Sequence, residues 1–474
     1  MNLSGPPHVV VVGGGIAGLA AAFFLREAPC RVTVLEGAPR LGGKLRVSEI
    51  AGVAVDEGAE ALLALRPEGA GLVSAAGLAD QLVWPGTTAA RIWSRGRMHP
   101  MPRRQVLGVP ADLAELAGTG LVSSDGMARA QQDLGLPATE RDGDVPVGRF
   151  VAARFGQEVV DRLVDPLLAG VYAGRAEELS FEATLPALAA ESRKHASLAA
   201  AAGALLPDPA EPKRGPAAKR PVFTTLAGGL GTLPAAVAAA SGAHVRTGAV
   251  VRGLAGMPAG WRLTVGSRHD EEYLDADAVI LAVPASPAAR LLAGAPAASA
   301  AAAALREIRY ASMAIVTLAY PEAAFPRRPE GSGYLVPAAD GRPVKAVTFA
   351  TVKWPHLAGA GLVVVRCSLG RIGEEALLQS DDGELAALAA AELAAATGAR
   401  GAPVATRVTR WGGGLPQYTV GHLDRVARIR SAVAAQPGLA VCGAAYDGIG
   451  IPACVATAQA AAAQIAAQLR DDRQ

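Results

Sequence analysis

The chain has 474 residues, more than one ordinary domain, and this length predicts two or three packed units. Hydrophobic residues make up 51% and charged residues 19%, a balance that excludes extensive disorder. The net charge of +2 excludes the dominating basic field of a nucleic-acid-binding protein. The chain has four cysteines, and they show neither a C-x-x-C pair nor the spacing of metal ligands; they are Cys30, Cys367, Cys442 and Cys454. We therefore expect reduced thiols in a cytoplasmic protein and no metal site.

Residues 9–25 form an uncharged stretch that imitates a membrane span. A helix that crosses a bilayer needs ~20 apolar residues. Here three consecutive glycines follow the β-branched run from Val9 to Val12. A buried strand, a glycine turn and a helix account for all of these features, whereas a membrane helix does not.

The glycine turn matches the dinucleotide-binding pattern G-x-G-x-x-G, with the sequence Gly13-Gly14-Gly15-Ile16-Ala17-Gly18. The first glycine permits a tight turn, the second lets a pyrophosphate approach the backbone, and the third lets the helix pack against the strand. The helix expected from about Ala17 to Arg26 points its N-terminal N–H groups at that phosphate.

A second strand, Arg31 to Leu35, ends at Glu36, which lies 18 residues beyond Gly18. This is close to the offset of ~20 residues at which an acidic side chain accepts hydrogen bonds from a ribose diol. The same carboxylate would repel a 2′-phosphate, so NADP is disfavoured. Strand, turn, helix and carboxylate together predict a βαβ nucleotide site at residues 8–36.

The next segment, Arg40-Leu41-Gly42-Gly43-Lys44, resembles the R-x-G-G-[RK] stretch of the amine-oxidase and glutathione-reductase-like flavoproteins. Residues 244–251 with 277–284, and residues 439–443, resemble further strands of the same nucleotide domain. In that superfamily a glycine turn like Gly448 to Pro452 places backbone N–H groups and a helix dipole against the flavin. The resemblance implies non-covalent FAD bound by Gly13, Gly15, Ile16, Ala17, Gly18, Glu36, Arg40, Gly42, Gly43, Lys44, Val251, Trp411, Gly443, Gly450 and Ile451.

Other segments are similar to one narrower family, the FAD-dependent protoporphyrinogen/coproporphyrinogen III oxidases of the Gram-positive type. The similar blocks follow the family order from about residue 8 to 465, and those containing "YAG" and "LPQY-GH" are not shared with amine oxidases or carotene desaturases. They are residues 159–174, 223–234, 331–337, 353–356, 366–371, 415–422 and 444–448.

This resemblance implies an oxidase that removes six electrons from a porphyrinogen in three FAD reduction cycles, with O₂ as acceptor and H₂O₂ as product. Hydride leaves a meso carbon toward flavin N5, so the resemblance implies no catalytic side chain. The absence of a Ser-His-Asp set, a paired acid and base, or a metal cluster from the sequence agrees with such cofactor-borne chemistry.

The resemblance also suggests substrate contacts. Arg91 falls where the family carries a propionate-binding arginine, and a guanidinium suits a carboxylate, although a solvated basic strand end is the alternative. Gly170 belongs to a turn that approaches the macrocycle in the family. Lys345 could serve a second propionate, but a surface position is the preferred interpretation. Trp411 and Tyr418 are expected to line the flavin or to pack in the core.

Two further expectations concern polar residues. Glu60 occupies a position where other family members carry Arg or Ser, and its carboxylate would repel a propionate; it either points elsewhere or shapes selectivity. Four of the seven histidines are considered as ligands, but they lack ligand spacing and are interpreted as structural or surface residues; they are His99, His195, His356 and His422.

The predicted fold is α/β, with a discontinuous Rossmann-like FAD-binding domain, an α+β substrate-binding domain and a mainly helical insertion. The FAD domain comprises residues 1–85, 221–290 and 405–474, the substrate domain 86–104 and 291–404, and the insertion 105–220. Expected helices are 111–117, 147–155 and 157–168, and expected strands are 314–320, 344–351 and 362–369. In the family the insertion can rest on a membrane surface, and a basic loop is expected at residues 207–220.

Several alternatives stay open. Coproporphyrinogen III is favoured as substrate over protoporphyrinogen IX, because the expected soluble character, the absence of a targeting peptide and the composition are typical of Gram-positive members of the family. The basic cluster from Arg91 to Arg104 permits a tetra-acid substrate without proving one. An amine oxidase or carotenoid desaturase is disfavoured by the family blocks. A non-catalytic flavoprotein that delivers porphyrin to a ferrochelatase is the alternative of another class. The chain is expected in the cytoplasm, with peripheral membrane contact and the choice between monomer and homodimer left open.

Overall fold

The computed structural model describes residues 5–207, 221–295, 298–359 and 361–471. A five-stranded sheet forms the centre of the nucleotide unit, and its strands lie in the order His244–Arg246, Arg31–Leu35, His8–Val12, Ala278–Leu281 and Leu439–Val441. Every neighbouring pair is parallel. The three inner strands are almost fully buried, as expected for β-branched runs covered on both faces. The α/β class with a discontinuous Rossmann-like unit is confirmed.

Helices cover both faces of this parallel sheet. Val9 and Val11 face one core, whereas Val10 and Val12 face the other, because successive side chains of a strand point in opposite directions. The first core is closed by Ile16–Leu25, Pro67–Ala75, Leu233–Ser241 and Ile451–Asp471. The second is closed by Ala285–Leu292, Ser299–Arg306, His422–Ala434 and an antiparallel sheet of Val251–Gly256, Trp261–Ser267 and Asp270–Ala276.

A seven-stranded sheet forms the second unit, in the order Ala405–Pro416, Tyr310–Pro321, Leu362–Leu369, Val344–Phe349, Gly333–Leu335, Ala90–Ser94 and Arg97–Pro100. The pair Gly333–Leu335 and Ala90–Ser94 is parallel, and the other neighbours are antiparallel. The helix Asp382–Thr397 packs on this sheet through Leu385, Ala389 and Leu393. A short helix, Ala350–Lys353, ends the strand that was expected to continue to residue 351.

One domain boundary differs from the sequence-based division, which grouped residues 405–474 with the nucleotide domain. Ala405–Pro416 pairs with Tyr310–Pro321 along most of its length and therefore belongs to the seven-stranded sheet. The remaining boundaries stay predictions. Short strands form small separate sheets; they are Val47–Ile50 with Val53–Asp56, Leu62–Leu63 and Leu82–Val83 with Phe223–Leu226, and Gln105–Val106 with Val109–Pro110.

A mainly helical unit packs beside the seven-stranded sheet. Its helices are Leu113–Gly118, Ser124–Gln131, Val147–Phe155, Gln157–Val159, Asp165–Tyr172, Phe181–Thr184, Pro186–Glu191 and Leu198–Ala204. The helix predicted at 157–168 contains a π-helical segment, Val160–Val164, and continues to Tyr172. The predicted basic loop lies almost entirely outside the described residues. Within those residues, no helix combines the length and the apolar character that crossing a membrane requires.

Candidate nucleotide and substrate site

The glycine turn between His8–Val12 and Ile16–Leu25 is tightly packed at Gly13, Gly14 and Gly18 and open at Gly15. A Cβ on Gly13 would lie 2.7 Å from the carbonyl oxygen of Ala282, and one on Gly18 would lie 1.9 Å from that of Gly13. At Gly15, by contrast, no described residue comes within 4 Å of such a Cβ. The space lies directly before the N-terminal residues Ile16 and Ala17 of the helix. This cradle fits a pyrophosphate, which a helix N-terminus binds favourably.

The carboxylate of Glu36 is fixed beside this turn. Its Oε2 accepts a hydrogen bond from the N–H of Gly14 at 2.6 Å, and its Oε1 accepts one from Ala38 at 2.7 Å. The carbonyl of Glu36 accepts from Ala249 at 2.8 Å, which brings the segment leading into Val251 alongside. The position at the end of the second parallel strand fits the ribose-binding role predicted for Glu36.

The turn Arg40 to Lys44 lies against the glycine turn. Gly42 has φ +105° and donates its N–H to the carbonyl of Gly14 at 2.8 Å, and Gly43 has φ +55°. The guanidinium of Arg40 donates to the carbonyl oxygens of Leu41 at 3.0 Å and Gly43 at 2.7 Å, and burial lowers its pKa. Arg40 therefore shapes the turn from within, in addition to adding positive charge near the cradle.

Lys44 and Trp411 connect this turn to the seven-stranded sheet. The ammonium of Lys44 donates to the carbonyl of Gly414, and burial lowers its pKa. The indole N–H of Trp411 donates to the carbonyl of Glu57 at 2.9 Å. A Cβ on Gly58 would lie 1.9 Å from the Lys44 carbonyl oxygen and 3.3 Å from the Trp411 ring. These contacts fix the turn against the strand Ala405–Pro416 of the seven-stranded sheet.

The C-terminal loop brings a second helix N-terminus to the same region. Gly443 has φ +121° and Gly448 has φ +143°, values that favour glycine, and the helix Ile451–Asp471 begins immediately after Gly450. The N–H of Gly443 donates to Oγ1 of Thr457 at 3.0 Å. This strand, loop and helix repeat the arrangement of the first glycine turn, and they fit a group that carries negative charge.

Tyr418 lies beneath the C-terminal loop and is completely buried. Its ring stacks on His422 at a centroid distance of 3.8 Å, and burial raises the pKa of Tyr418. His422 is also buried, which lowers its pKa to about 4, and its Nε2 bonds to the Tyr446 carbonyl at 2.8 Å. Of the two roles expected for Tyr418, the structure favours core packing; His422 is structural, as predicted.

The two family blocks that contain Tyr172 and Gln417 contact each other. The side-chain N–H₂ of Gln417 donates to the Tyr172 carbonyl at 2.7 Å, and a Cβ on Gly174 would lie 2.4 Å from Oε1 of Gln417. The left-handed residue in this turn is Ala173, with φ +50°. Gly170 was expected in the turn itself, but it lies inside the helix Asp165–Tyr172, because the helix runs on to Tyr172.

The predicted substrate residues converge on one strand. Arg91 pairs with Tyr334 of Gly333–Leu335, and a Cβ on Gly170 would lie 3.3 Å from the Leu335 side chain. The Arg91 side chain is 44% exposed, with Glu330 as its ion-pair partner at 3.2 Å, and so remains available to a ligand. Neither residue is buried in the core.

Glu60 is held by two cations. Its carboxylate accepts from Nζ of Lys353 at 2.5 Å and from the guanidinium of Arg366. Burial raises the pKa of Glu60, but Lys353 and Arg366 outweigh that effect and lower it to about 2. Glu60 is therefore neutralised by protein partners, which removes the repulsion toward a propionate considered from the sequence.

Lys345 was interpreted as a surface residue, and this prediction is wrong. Its side chain is 1% exposed, its Nζ donates to Oγ of Ser368 at 2.7 Å, and burial lowers its pKa to about 7. The strand Val344–Phe349 is internal in the seven-stranded sheet, with neighbours on both edges. The Lys345 ammonium is enclosed by the neighbouring strand, where the carbonyl of Leu369 also accepts from it at 3.3 Å.

Sequence analysis missed Asp56 as a structural anchor. Its carboxylate accepts from the N–H groups of Leu230 at 3.0 Å and Gly231 at 2.9 Å, and thereby holds the glycine-rich segment at residues 223–234. Burial raises the pKa of Asp56 to about 6, although these two hydrogen bonds lower it. The sequence signal that could have indicated this role is an acidic residue directly before the loop that contains Glu57 and Gly58.

The parallel sheet, the two glycine loops at helix N-termini and the carboxylate of Glu36 beside the first loop define a Rossmann-type nucleotide-binding protein. The chain belongs to the flavin-containing amine oxidoreductase family, whose profile matches residues 16–466. It is 34% identical over 465 residues to a protein of Bacillus subtilis named coproporphyrinogen III oxidase, covering 96% of this chain and 97% of the relative.

Two further comparisons agree with this family membership. A Mycobacterium bovis protein, also named coproporphyrinogen III oxidase, is 40% identical over 464 residues, covering 96% of each chain. A crystal structure of a protein from Exiguobacterium sp. 255-15 is 30% identical, with a TM-score of 0.85 over 98% of this chain and 99% of that one. The predicted membership in the protoporphyrinogen/coproporphyrinogen oxidase family is confirmed.

Proposed function

We propose that this protein oxidises coproporphyrinogen III to coproporphyrin III in haem biosynthesis, with non-covalent FAD as cofactor and O₂ as electron acceptor. The observation that carries the proposal is similarity along nearly the whole chain to relatives named coproporphyrinogen III oxidase, at 34% and 40% identity. Because the similarity includes both ends of the chain, it covers the nucleotide unit and the seven-stranded sheet together.

Named residues fit each part of the cofactor. The cradle at Gly15 fits the pyrophosphate, Glu36 fits the adenosine ribose, and the helix N-terminus at Gly450 and Ile451 fits the pyrimidine edge of the flavin. When bound, FAD supplies the acceptor for two electrons in each of three cycles and passes them to O₂, with H₂O₂ released. The protein supplies position and exclusion of water.

On the substrate side, the chain's own residues orient the macrocycle. The exposed guanidinium of Arg91 offers paired N–H donors to a propionate, and Gly170 keeps the nearby helix surface free of a side chain. The ion-paired Glu60 adds no net repulsion. No described side chain is needed as a general base for this chemistry, since the protons lost from pyrrole nitrogens can pass to solvent.

We also propose a cytoplasmic setting in which the porphyrin product passes to a ferrochelatase through transient contact. Three buried cysteines support a reducing compartment, because Cys367, Cys442 and Cys454 are free thiols in the structure.

The test is an assay of the purified yellow protein with coproporphyrinogen III and protoporphyrinogen IX, each in air. We expect porphyrin fluorescence and H₂O₂ to rise together, faster with coproporphyrinogen III. A faster reaction with protoporphyrinogen IX would reassign the substrate. If neither substrate gains fluorescence, the oxidase proposal fails, and binding of porphyrin without turnover would then favour a delivery protein.

A further inference from the structure

An internal strand of the seven-stranded sheet contains a β-bulge at Lys345. Val344 lies opposite Leu369 and Ala346 lies opposite Ser368 on the neighbouring strand, so Lys345 is an extra residue without a partner across the ladder. Bulges redirect side chains and are common beside active sites. At this bulge, the ammonium of Lys345 donates to Oγ of Ser368 at 2.7 Å, which joins a buried lysine to a serine hydroxyl.

Ser368 lies on the half-open face of the sheet. Leu335, Ala346 and Ser368 form one cross-strand row, and all three are half-buried. Cys367, which points to the other face, is completely buried in the core under the helix of residues 382–397. At the end of the row, the Leu335 side chain lies 3.3 Å from the position of a Cβ on Gly170. The row therefore runs from Ser368 toward the helix that is proposed to border the substrate.

Arg366 relates the same face to the nucleotide site. It precedes Ser368 by two residues, and side chains two positions apart in a strand point to the same side. The guanidinium of Arg366 donates to the carbonyl of Gly58 at 2.6 Å, and Gly58 packs against Lys44 and Trp411. Ser368 thus shares one sheet face with the nucleotide turn and with the substrate-side helix, the two parts that the proposed oxidation must bring together.

Lys345 has no ion-pair partner within the described part of the chain, and its second hydrogen bond goes to a carbonyl, that of Leu369 at 3.3 Å. Burial lowers the pKa of Lys345 to about 7; Arg371 also lowers it, whereas Glu374 raises it. Both protonation states are therefore accessible near neutral pH, as a proton acceptor requires. Four charged groups on the elements packed against this strand have partners of their own; they are Asp165, Lys353, Arg366 and Glu392.

We propose that Ser368 and Lys345 take up the proton that a pyrrole nitrogen loses in each oxidation cycle, an inference that rests on the proposed function. Although solvent can take this proton, a bound macrocycle excludes water from the sheet face beneath it. Ser368 would contact the substrate, and Lys345 would act through Ser368 as a positioning residue that stores the proton.

The protons and electrons of this step balance. A meso C–H bond breaks and its electron pair leaves as hydride to the flavin, while a pyrrole N–H bond breaks and its proton passes to Oγ of Ser368. The hydroxyl proton of Ser368 moves to the neutral amine of Lys345 in the same step. Reduction of O₂ to H₂O₂ then consumes two electrons and two protons, so the amine returns its proton before the next cycle.

The kinetic test measures anaerobic flavin reduction by coproporphyrinogen III in the FAD-loaded full chain at several pH values. The parent rate should rise with pH through an apparent pKa near 7, because only the neutral amine accepts a proton. Lys345→Met should lower the rate about a hundredfold at pH 8 and remove this pH dependence. Ser368→Ala should lower the rate to a similar extent, whereas Ser368→Thr keeps a hydroxyl and should retain most of it.

The matched control for Lys345→Met is Lys194→Met, which removes a lysine whose side chain is 64% exposed and should leave the rate and its pH dependence unchanged. Ser368 is half-buried, so Ser368→Ala should fold even if Lys345→Met does not. Flavin absorbance verifies that all variants carry the same amount of FAD.

Unfolding in urea provides a readout that needs no substrate. The pKa of Lys345 is about 7 in the folded protein, and that of an unfolded lysine is about 10.4, so only the unfolded chain holds the proton between these values. The stability of the parent relative to Lys345→Met should therefore rise from pH 7 to pH 10. A constant difference over this range would show that Lys345 stays charged, and would overturn the proposal.

Two kinetic outcomes are also decisive. An active parent whose pH dependence and rate survive in Lys345→Met or in Ser368→Ala would overturn the proton role and leave the proposed function intact. A parent whose flavin is reduced by neither porphyrinogen would overturn both.

Discussion

The hydroxyl of Tyr418 accepts a hydrogen bond from the N–H of Gly448 at 2.8 Å and donates one to the carbonyl of Ala444 at 2.7 Å. The phenol thus ties together both ends of the C-terminal loop that precedes the last helix. Tyr418 is fully buried, and its partners Ala444 and Gly448 are half-buried. The loop that fits the flavin is therefore shaped by a residue that need not touch the flavin.

Removal of this hydroxyl in Tyr418→Phe should loosen the loop and weaken FAD binding. Leaving the Gly448 and Ala444 groups unpaired costs about 1–3 kcal/mol, part of which should appear as lower affinity for FAD. The measurements are FAD dissociation by flavin fluorescence and the free energy of unfolding of the apoprotein. Tyr273→Phe is the control, because Tyr273 is 62% exposed. Unaltered FAD affinity in Tyr418→Phe would contradict the supporting role.

The open space at Gly15 predicts a variant that folds but does not bind the cofactor. Gly15 has φ −74°, which alanine adopts freely, and no described residue would contact its Cβ. Gly15→Ala should therefore change the free energy of unfolding of the apoprotein by less than about 0.5 kcal/mol. FAD affinity should fall about a hundredfold or more, because the methyl group occupies the pyrophosphate position.

Gly71→Ala is the matched control for Gly15→Ala. It adds a methyl group to an exposed helical position where no described residue lies within 4 Å of the Cβ, and it should leave FAD affinity unchanged. Retained FAD binding in Gly15→Ala would place the pyrophosphate elsewhere.

The triad of Glu60, Lys353 and Arg366 predicts a pH-dependent loss of stability. The pKa of Glu60 is lowered from 4.5 to about 2, so its stabilising contribution is complete above pH 4.5 and is lost as the pH falls toward 2. Glu60→Gln should cost about 3 kcal/mol at pH 7, since it leaves the buried Arg366 and the half-buried Lys353 without their carboxylate, and the cost should shrink below pH 4.5. Urea denaturation across pH 3–8 measures both effects.

Glu68→Gln provides the control for the triad. Glu68 pairs with Arg66 at 2.9 Å, but the Arg66 side chain is 48% exposed, so its removal should cost less than about 1 kcal/mol at any pH. A pH-independent difference between Glu60→Gln and the parent protein would show that charge is not what stabilises the triad.

Arg91 is predicted to act in substrate binding rather than in the chemical step. Arg91→Ala should raise KM for coproporphyrinogen III about tenfold with little change in kcat. The reason is that the lost contact stabilises the bound substrate and the transition state equally. Arg91→Lys should recover part of the affinity, since a lysine keeps the charge but not the paired donors. The control is Arg252→Ala, which removes an arginine in the nucleotide unit. An unchanged KM in Arg91→Ala would show that Arg91 is a solvated strand residue without a role in substrate binding.

Local patterns predicted much of the fold. The strands Arg31–Leu35 and Leu362–Leu369 and the helix Val147–Phe155 were predicted at their observed bounds. Each is specified by a β-branched run or by apolar residues at helical spacing within its own sequence. The glycine pattern was likewise sufficient for the first nucleotide loop, because turn geometry depends mainly on the residues of the turn itself.

The errors concern properties set by distant parts of the chain. The burial of Lys345 depends on residues more than 20 positions away, because its ammonium bonds to Ser368 and Leu369 on the neighbouring strand Leu362–Leu369. Asp56 meets Leu230 across a separation of 174 residues. The residues around Asp56 contain no signal for the segment around Leu230, and the reverse is also true. A single sequence therefore cannot show that this aspartate anchors a distant loop.

The central parallel sheet combines strands from the first and last parts of the chain. His8–Val12 pairs with Ala278–Leu281, which in turn pairs with Leu439–Val441. On a ribosome that adds about 5–20 residues per second, the final strand emerges roughly 20–90 s after the first. Until then the apolar edge of the growing sheet has no partner, so a chaperone that shields the nascent chain during this interval should raise the yield of folded protein.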